Sequence, residues 1–314
     1  MTGVNVSTGS HRSDMARRHA DMPIARRLHV WRWVWAVVVT ALLAWFGLKI
    51  AQTPSLHWEV ISHYLFFPQI LSGVRNTITV SVLAQSIGIV GGLLLALCRL
   101  SHNPVLKAIS GGYVWLFRGV PVLVQLIFWF NLGVVFQSIS ISIPFTGIVL
   151  FSEPTNVLIT PYSAVLLGLG LNEMAYMAEI IRAGISSVSR GQTEAAMSLG
   201  MSPGQTLRKI VLPQAARVVV PPTSNGLITM LKISSLASVI TYRELLTTAQ
   251  NIYSANLYTI ELLTVVSFWY LVLTTVCTFG QRWVERHFGR SELPQAVAGP
   301  RTWWRIPLRW KAPR

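Results

Sequence analysis

Residues 189–213 read SRGQTEAAMSLGMSPGQTLRKIVLP, a mostly polar stretch that lies between two apolar runs. Ser189 with Gln192, and Ser202 with Gln205, have the capping-box spacing, in which the two side chains satisfy free backbone N–H groups at a helix start. Each pair therefore predicts the beginning of a short helix.

Glycine and proline residues divide this stretch. Pro203 occupies the position favoured at the start of a helix. Gly200 can adopt the left-handed conformation that ends the first helix, and Pro213 is expected to end the second. The pattern predicts a helix, a tight turn and a second helix.

The rest of the chain is strongly apolar. Apolar residues make up 52% of its 314 residues and charged residues only 12%, with a mean hydropathy of +0.50. A water-soluble domain of this size would lack the charge to cover its surface. Six runs approach the ~20 residues that a membrane-spanning helix needs; they are 30–50, 78–97, 112–136, 160–181, 218–240 and 262–279. The predicted fold class is an all-α, polytopic membrane protein.

The distribution of lysine and arginine predicts the orientation. The net charge of +15 could suggest nucleic acid, but the basic residues concentrate in the tails 1–29 and 291–314 and in the loops that follow the second and fourth runs. Cytoplasmic loops carry such an excess. Both termini and the 189–213 stretch are therefore expected inside the cell, with the bilayer and not nucleic acid as the partner. The tails are expected to be disordered or to lie on anionic headgroups.

Processing signals and metal sites are not indicated. The first run is longer than a signal-peptide core of ~7 to 15 residues, and no small-residue cleavage site follows it, so it is interpreted as a retained helix. Cys98 and Cys277 are far apart, and no histidine or cysteine cluster has metal-ligand spacing. Neither a disulfide framework nor a metal site is expected.

Several polar residues fall within the fourth and fifth runs, where ionisable groups are costly enough to suggest a protein-lined path. The candidates for a translocation path are Glu173, Asn225, Lys232 and Ser234. Lys232 could instead extend to the membrane surface or neutralise a carboxylate such as Glu173. Glu179 lies three residues before Arg182, a spacing typical of a structural ion pair on a helix.

Small and apolar residues mark the 189–213 stretch as a docking surface. Ala195 and Ala196 would let another surface approach closely, and Leu199, Leu207 and Ile210 would provide apolar contacts beside them. Glu-Ala-Ala at positions 194–196, with Gly200 and the Leu-Pro at 212–213, resembles the EAA coupling motif of ABC importer permeases.

The resemblance extends over residues 73–286 and is to the polar amino acid uptake family, of the histidine, glutamine, arginine and opine type. Its blocks are GVRNT at 73–77, YVWLFRGVPVLVQ at 113–125, AYMAEIIRAGI at 175–185, GQ at 191–192 and LPQA at 212–215. At 232–236 the chain reads KISSL where the family commonly has KDTSL, so Ile233 leaves the charge class of the solute open.

This resemblance implies the type I importer permease fold, with a five-helix core in a permease domain at 72–283 and one additional N-terminal helix at 30–50. It implies that the chain is a transport subunit and not an enzyme, importing a polar amino acid or a related small solute through the bacterial inner membrane. It also implies three kinds of partner: a cytoplasmic pair of ATP-binding subunits, an extracytoplasmic binding protein, and a second permease subunit that is either a copy or a homologue. The residues that it places in the coupling loop are Glu194, Ala195, Ala196, Gly200, Leu207, Ile210 and Pro213.

ATP and Mg²⁺ are expected on the partner subunit. None of the five lysines of the chain follows a glycine, so the Gly-Lys-Ser/Thr core of a phosphate-binding loop is missing. The alternative function is a secondary transporter without an ATPase, coupled to ions through Glu173 and Lys232. An intramembrane enzyme would need a nucleophile with a base, or metal ligands, at membrane depth, and the sequence has no such set.

Overall fold

The computed structural model describes residues 30–53, 56–143, 146 and 149–288. The chain divides into two units, Met1–Leu56 and His57–Arg314. The described part of the first unit contains helix α1, Val30–Ala51, at the position of the first predicted span. The basic tails 1–29 and 291–314 lie outside the described residues.

The second unit is mainly helical. Its elements, in chain order, are α2 (Trp58–Leu65), α3 (Pro68–Leu100), α4 (Pro104–Gly119), α5 (Val122–Phe130), α6 (Leu132–Val135), β1 (Ser138–Ser142), β2 (Val149–Pro154), α7 (Thr155–Leu158), α8 (Pro161–Ser186), α9 (Arg190–Ser198), α10 (Pro203–Thr206), a π-helical turn (Leu207–Val211), α11 (Leu212–Ile233), a 3-10 helix (Ser234–Ile240), α12 (Leu245–Asn256) and α13 (Thr259–Phe288).

Helices α3 and α8 form the centre of this unit, and small residues of α3 bring them together. A Cβ atom added at Gly92 would lie 2.5 Å from the Met177 Cβ and 2.9 Å from the Ala178 nitrogen. Gly88 and Gly91 are equally crowded by α8 side chains. Because lipid tails are as apolar as the helices, membrane helices associate through such close packing.

A second cluster lies where α3 begins and α12 and α13 meet. Buried side chains from these helices, among them Ile70, Leu245, Leu262 and Val265, pack together. The α12 helix is capped by Glu244, whose carboxylate accepts hydrogen bonds from the backbone nitrogens of Leu246 (2.7 Å) and Thr247 (2.6 Å). Further bonds come from the Thr247 hydroxyl (3.0 Å) and the Tyr270 hydroxyl (2.9 Å).

The predicted span 112–136 is not one straight helix. Helices α4 and α5 meet at an angle of 99°, with the break at residues 120–121. Pro121 cannot donate a backbone hydrogen bond, which favours a helix break there. Gln125 stabilises the bend because its Nε2 donates to the Phe117 carbonyl (2.9 Å) and to the Val120 carbonyl (2.8 Å).

A short antiparallel β-hairpin follows this bent pair. Strands β1 and β2 pair with Ser138 opposite Pro154 and Ile141 opposite Phe151. These strands lie between the predicted spans 112–136 and 160–181, where no helix was predicted. The all-α class therefore holds for the spanning elements, and the hairpin is an addition outside them.

The predicted helix-turn-helix is present, with one correction at its end. Gly200 has φ +81°, and Ser202 and Gln205 form the reciprocal capping box. Ser189 begins α9 without a side-chain capping bond. Pro213 does not end the second helix: α10 continues through the π-helical turn into α11, and Pro213 lies at the start of α11, directly after that turn.

Fewer helices meet the length and hydropathy of a membrane span than the six predicted. Within the described part of the chain four do, namely Trp31–Lys49, Pro68–Leu100, Pro161–Ser186 and Thr259–Arg286, and the bent pair α4–α5 makes a fifth. The predicted span 218–240 corresponds to α11 and the 3-10 helix after it. Arg217, Lys232 and two internal prolines make α11 less apolar than the others.

Candidate functional site

A cavity of about 560 Å³ lies between the α4–α5 bend, α8 and α11. Most of its wall is apolar, but each of these elements contributes polar side chains. The polar residues in its lining are Arg118, Asn172, Glu173, Tyr176, Asn225 and Thr229. A mostly apolar cavity with a few convergent polar groups is the usual form of a site for a small molecule.

Glu173 is the buried acidic residue of this cavity, with only 9% of its surface exposed. Two glycines make room for it. The α3 residue Gly88 faces its Cβ and Cγ atoms, and a Cβ atom added at Gly226 of α11 would lie 3.2 Å from its Oε1. The amide of Gln85 borders the same space, and its Oε1 has no hydrogen-bond partner among the described residues. The carboxylate therefore sits where three helices approach one another.

Arg118 supplies a positive charge to the cavity from the end of α4. Its guanidinium carbon lies 5.2 Å from the centre of the Tyr176 ring, which is within the range of a cation–π contact. Asn172 ties the same region to α8, because its Nδ2 donates to the Phe117 carbonyl (2.8 Å). The α4 terminus that carries Arg118 is thus held by side chains from both α5 and α8.

The four residues predicted to line a translocation path separate into two pairs. Glu173 and Asn225 line the cavity. Lys232 is exposed and Ser234 is buried, with its hydroxyl donating to the Leu231 carbonyl (2.7 Å), and neither lines the cavity. Ile233, which lies between them, does line it.

Glu179 and Arg182 are brought together as an ion pair of 2.9 Å, and a third residue joins them. Arg99, at the end of α3, lies 3.2 Å from the other carboxylate oxygen of Glu179. The Glu179 carboxylate therefore links α3 to α8 and forms ion pairs with two guanidinium groups, those of Arg99 and Arg182. The spacing of Glu179 and Arg182 indicated their pairing, but Arg99 is 80 positions away in sequence and no local pattern could connect it to Glu179.

The residues predicted to form the coupling loop lie at the end of the molecule where α9, α10 and the start of α11 meet. Docking residues are expected to be exposed, but only some of these residues are. Glu194, Ala195 and Pro213 are exposed, whereas Ala196 is 5% exposed and is therefore packed inside the chain. Leu199 is 84% exposed.

On the predicted docking surface, the exposed apolar side chains therefore come chiefly from α9 and from Leu199, the residue that ends it. Leu207 and Ile210 are half-buried, because the helix that carries them runs on into α11. Met197 is 46% exposed and lies beside Leu199. Sequence reasoning passed over Met197, since its exposure depends on the direction in which α9 packs.

The cavity also contains residues that sequence reasoning did not assign to a site. Arg118 and Tyr176 were identified only as parts of the blocks that carry the family resemblance, and Thr229 was not singled out. The feature of the sequence that could have identified all three is a polar side chain within an otherwise apolar helical segment. The bend at Pro121, which turns Arg118 towards α8, is what places them in one cavity.

The family and the individual proteins that this chain resembles agree with one another. Residues 88–290 match the family described as binding-protein-dependent transport system inner membrane component. The arginine transport system permease protein ArgU of Corynebacterium glutamicum is 41% identical over 264 residues, which cover 84% of this chain and 82% of ArgU. The L-cystine transport system permease protein TcyB of Bacillus subtilis is 34% identical over 237 residues, covering 75% of this chain and 93% of TcyB.

A solved structure also resembles this chain. A crystal structure of an amino acid ABC transporter with histidines superposes with a TM-score of 0.61 and 33% sequence identity. The match covers 72% of this chain and 97% of the other. Sequence and structure therefore point to the same group of proteins.

Proposed function

Because the chain belongs to the family of binding-protein-dependent transport system inner membrane components, we propose that it imports an amino acid. The amino acid would be held by its charged head group in the cavity between the α4–α5 bend, α8 and α11, which we call the central cavity. The chain is a multi-pass permease subunit of an ABC importer with the type I fold. We assign helices α3, α4–α5, α8, α11 and α13 to the five-helix core expected for that fold.

The observation that carries this proposal is that a single cavity contains both Arg118 and Glu173. Every amino acid zwitterion has a carboxylate and an ammonium group. A guanidinium matches a carboxylate in charge and can donate two parallel hydrogen bonds to it, and a buried carboxylate favours an ammonium partner. Arg118 is thus suited to the carboxylate of the solute and Glu173 to its ammonium group.

The remaining wall suits a solute side chain. Leu169, Ile180 and Ile233 line the cavity with apolar surface, while Asn225 and Thr229 add neutral hydrogen-bonding groups. Two of the relatives are named for the transport of arginine and of cystine. These two amino acids have very different side chains but the same head group. Head-group recognition by charged residues, with a less specific wall, is consistent with that range.

The energy source is proposed to be ATP bound by a partner. The α9–α10 segment would face the cytoplasm, as Arg190 within it and Arg208 and Lys209 directly after it favour, and both termini would lie on the same side. There Leu199 and Met197 would contact a cytoplasmic pair of ATP-binding subunits, which hold the nucleotide and its Mg²⁺. Motion would enter α11 directly, because α10 continues into it.

The path is proposed to require a second permease subunit, either another copy or a homologue. The central cavity is open on one side within this chain, and Arg118, Tyr176 and Asn225 are exposed there. A partner that covers this side would exclude lipid from the charged groups, whose exposure to hydrocarbon is costly. An extracytoplasmic binding protein would deliver the amino acid to the closed path.

The experiment is uptake of a radiolabelled amino acid by proteoliposomes that contain the whole transporter, with its binding protein unchanged. Glu173→Gln and Arg118→Gln should each lower uptake roughly tenfold or more, because each removes one charged hydrogen-bonding partner of the solute. Glu59→Gln, an exposed carboxylate on α2, is the matched control and should leave uptake unchanged. Wild-type uptake rates for both cavity variants would refute head-group recognition at this cavity.

A further inference from the structure

A second cavity, of about 310 Å³, lies at the end of the molecule opposite the α9–α10 segment. It opens between the first two turns of α3 and the start of α12, and every residue that lines it is polar. These residues are Gln69, Ser72, Asn76, Arg243, Thr248 and Asn251. Among them Arg243 is the charged residue.

The backbone that carries Arg243 is firmly held. The Asn76 Nδ2 donates to the Arg243 carbonyl (2.8 Å), and the Thr77 hydroxyl accepts from the Leu245 nitrogen (3.1 Å). The Thr248 hydroxyl donates to the Glu244 carbonyl (2.7 Å). These bonds fix the loop between the 3-10 helix and α12 against α3.

The guanidinium of Arg243, in contrast, has no ion-pair or hydrogen-bond partner in the part of the chain that the structure describes. The neighbouring carboxylate of Glu244 cannot serve, because it is buried and both of its oxygens accept from the α12 terminus and from Tyr270. A fixed backbone therefore presents an unpaired, exposed guanidinium beside neutral amides and hydroxyls.

We propose that this cavity receives an acidic side chain of the extracytoplasmic binding protein, with Arg243 as the partner of its carboxylate. The inference rests on the proposed function, which places this end of the molecule outside the cell. A carboxylate is the group that an arginine fork binds best, and the surrounding amides can donate to the same group.

A protein is a better occupant than a free amino acid. An exposed ion pair changes affinity only a few-fold, which is too little to retain a small solute by itself. As one contact of a larger interface, the same charge accelerates association and helps to set the orientation of the partner. The exposure of Arg243 is therefore compatible with docking and unsuited to holding free solute.

The test uses proteoliposomes that contain the complete transporter, to which the amino-acid-loaded binding protein is added in increasing concentration while ATP hydrolysis is measured. Arg243→Gln should raise the half-stimulating concentration of binding protein roughly three- to fivefold at low salt and leave the maximal rate unchanged. Arg75→Gln, an exposed arginine of α3 that does not line the cavity, should change neither value.

Three outcomes would overturn the proposal. One is an Arg243→Gln variant whose half-stimulating concentration stays within about twofold of the wild type. Another is an equal shift in Arg75→Gln. The third is a change in the dependence on amino acid at saturating binding protein, which would identify the free solute as the ligand. If the wild-type transporter itself shows no stimulation, the failure belongs to the proposed function and not to Arg243.

A salt titration provides an independent readout. Raising the salt concentration from about 50 mM to about 500 mM should reduce the difference between wild type and Arg243→Gln, because an exposed ion pair is screened. A difference that persists unchanged at high salt would show that Arg243 acts through local structure and would contradict the ion pair.

Discussion

At the scale of single residues, the structure separates charged groups that face the cavity from those that hold the fold together. Glu173 faces the cavity, while Glu179 links α3 to α8 through Arg99 and Arg182. Their spacing of six residues in the sequence indicated that they could not share a helix face. The glycines that make room for Glu173, Gly88 and Gly226, could not be identified, since their role depends on how three helices cross.

Glu244 stabilises the start of α12 through its buried carboxylate. Glu244→Ala would leave two backbone N–H groups of α12 and the Tyr270 hydroxyl without their acceptor. The expected destabilisation is about 2 to 3 kcal/mol, because hydrogen bonds to a charged acceptor are lost at a buried site. Thermal unfolding of the detergent-purified protein measures it.

Tyr270→Phe is the milder comparison for Glu244→Ala, because it removes one of the four hydrogen bonds to the Glu244 carboxylate and leaves the helix cap intact. It should cost only about 1 kcal/mol. Equal losses in the two variants would contradict a capping role for Glu244.

At the scale of elements, the apolar runs located the spanning helices, but not their ends or bends. The run 78–97 is the apolar part of α3, which begins ten residues earlier at Pro68, because its first turns mix polar and apolar residues and pack on α12 through Ile70 and Val74. A proline such as Pro121 indicates a bend within 112–136, and the structure has one. Its 99° angle could not be predicted, because Gln125 and Asn172 also bond to the end of α4.

The contact between α3 and α8 can be tested at Gly92. Gly92→Ala adds a methyl group that would lie 2.5 Å from the Met177 Cβ, so the helices must separate. We expect a loss of about 1 to 3 kcal/mol, as for other overpacked sites. Gly280→Ala in α13 has open space around the new methyl and should be neutral or slightly stabilising. Equal unfolding temperatures for the two variants would show that close packing at Gly92 is unimportant.

The turn between α9 and α10 depends on Gly200. Its φ of +81° is accessible to glycine without strain, and alanine there should cost about 1 to 2 kcal/mol locally. Because α10 continues into α11, Gly200→Ala should reduce the ATP hydrolysis that loaded binding protein stimulates. The control is Gly204→Ala, which has a helical backbone and open surroundings. The result that would contradict this role is full stimulation in Gly200→Ala.

The helix-turn-helix itself could be predicted almost completely from the sequence, since capping residues and glycine act locally. What could not be predicted is the burial of Ala196 and the exposure of Leu199, because these depend on how α9 packs against the chain. The continuation through Pro213 was mispredicted because a proline does not always end a helix, and here the π-helical turn directly before it carries the chain into α11.

At the scale of the whole molecule, the two ends of the helical core have different proposed partners. The α9–α10 end offers exposed apolar residues and basic charge for an ATP-binding subunit, and the Arg243 end offers a polar cavity for a binding protein. Between them lies the cavity with Arg118 and Glu173. Helix α11 runs from the first end to the cavity wall and so connects the proposed energy source to the proposed solute site.

ATP hydrolysis by a partner, and not an ion gradient, is proposed to drive uptake through this chain. The measurement that distinguishes the two energy sources is accumulation of a labelled amino acid in proteoliposomes holding the complete transporter, with ATP inside or absent and with a protonophore added. Uptake is expected to require internal ATP and external binding protein and to be unaffected by the protonophore. Uptake that proceeds without ATP and collapses with the protonophore would contradict it and favour the ion-coupled alternative.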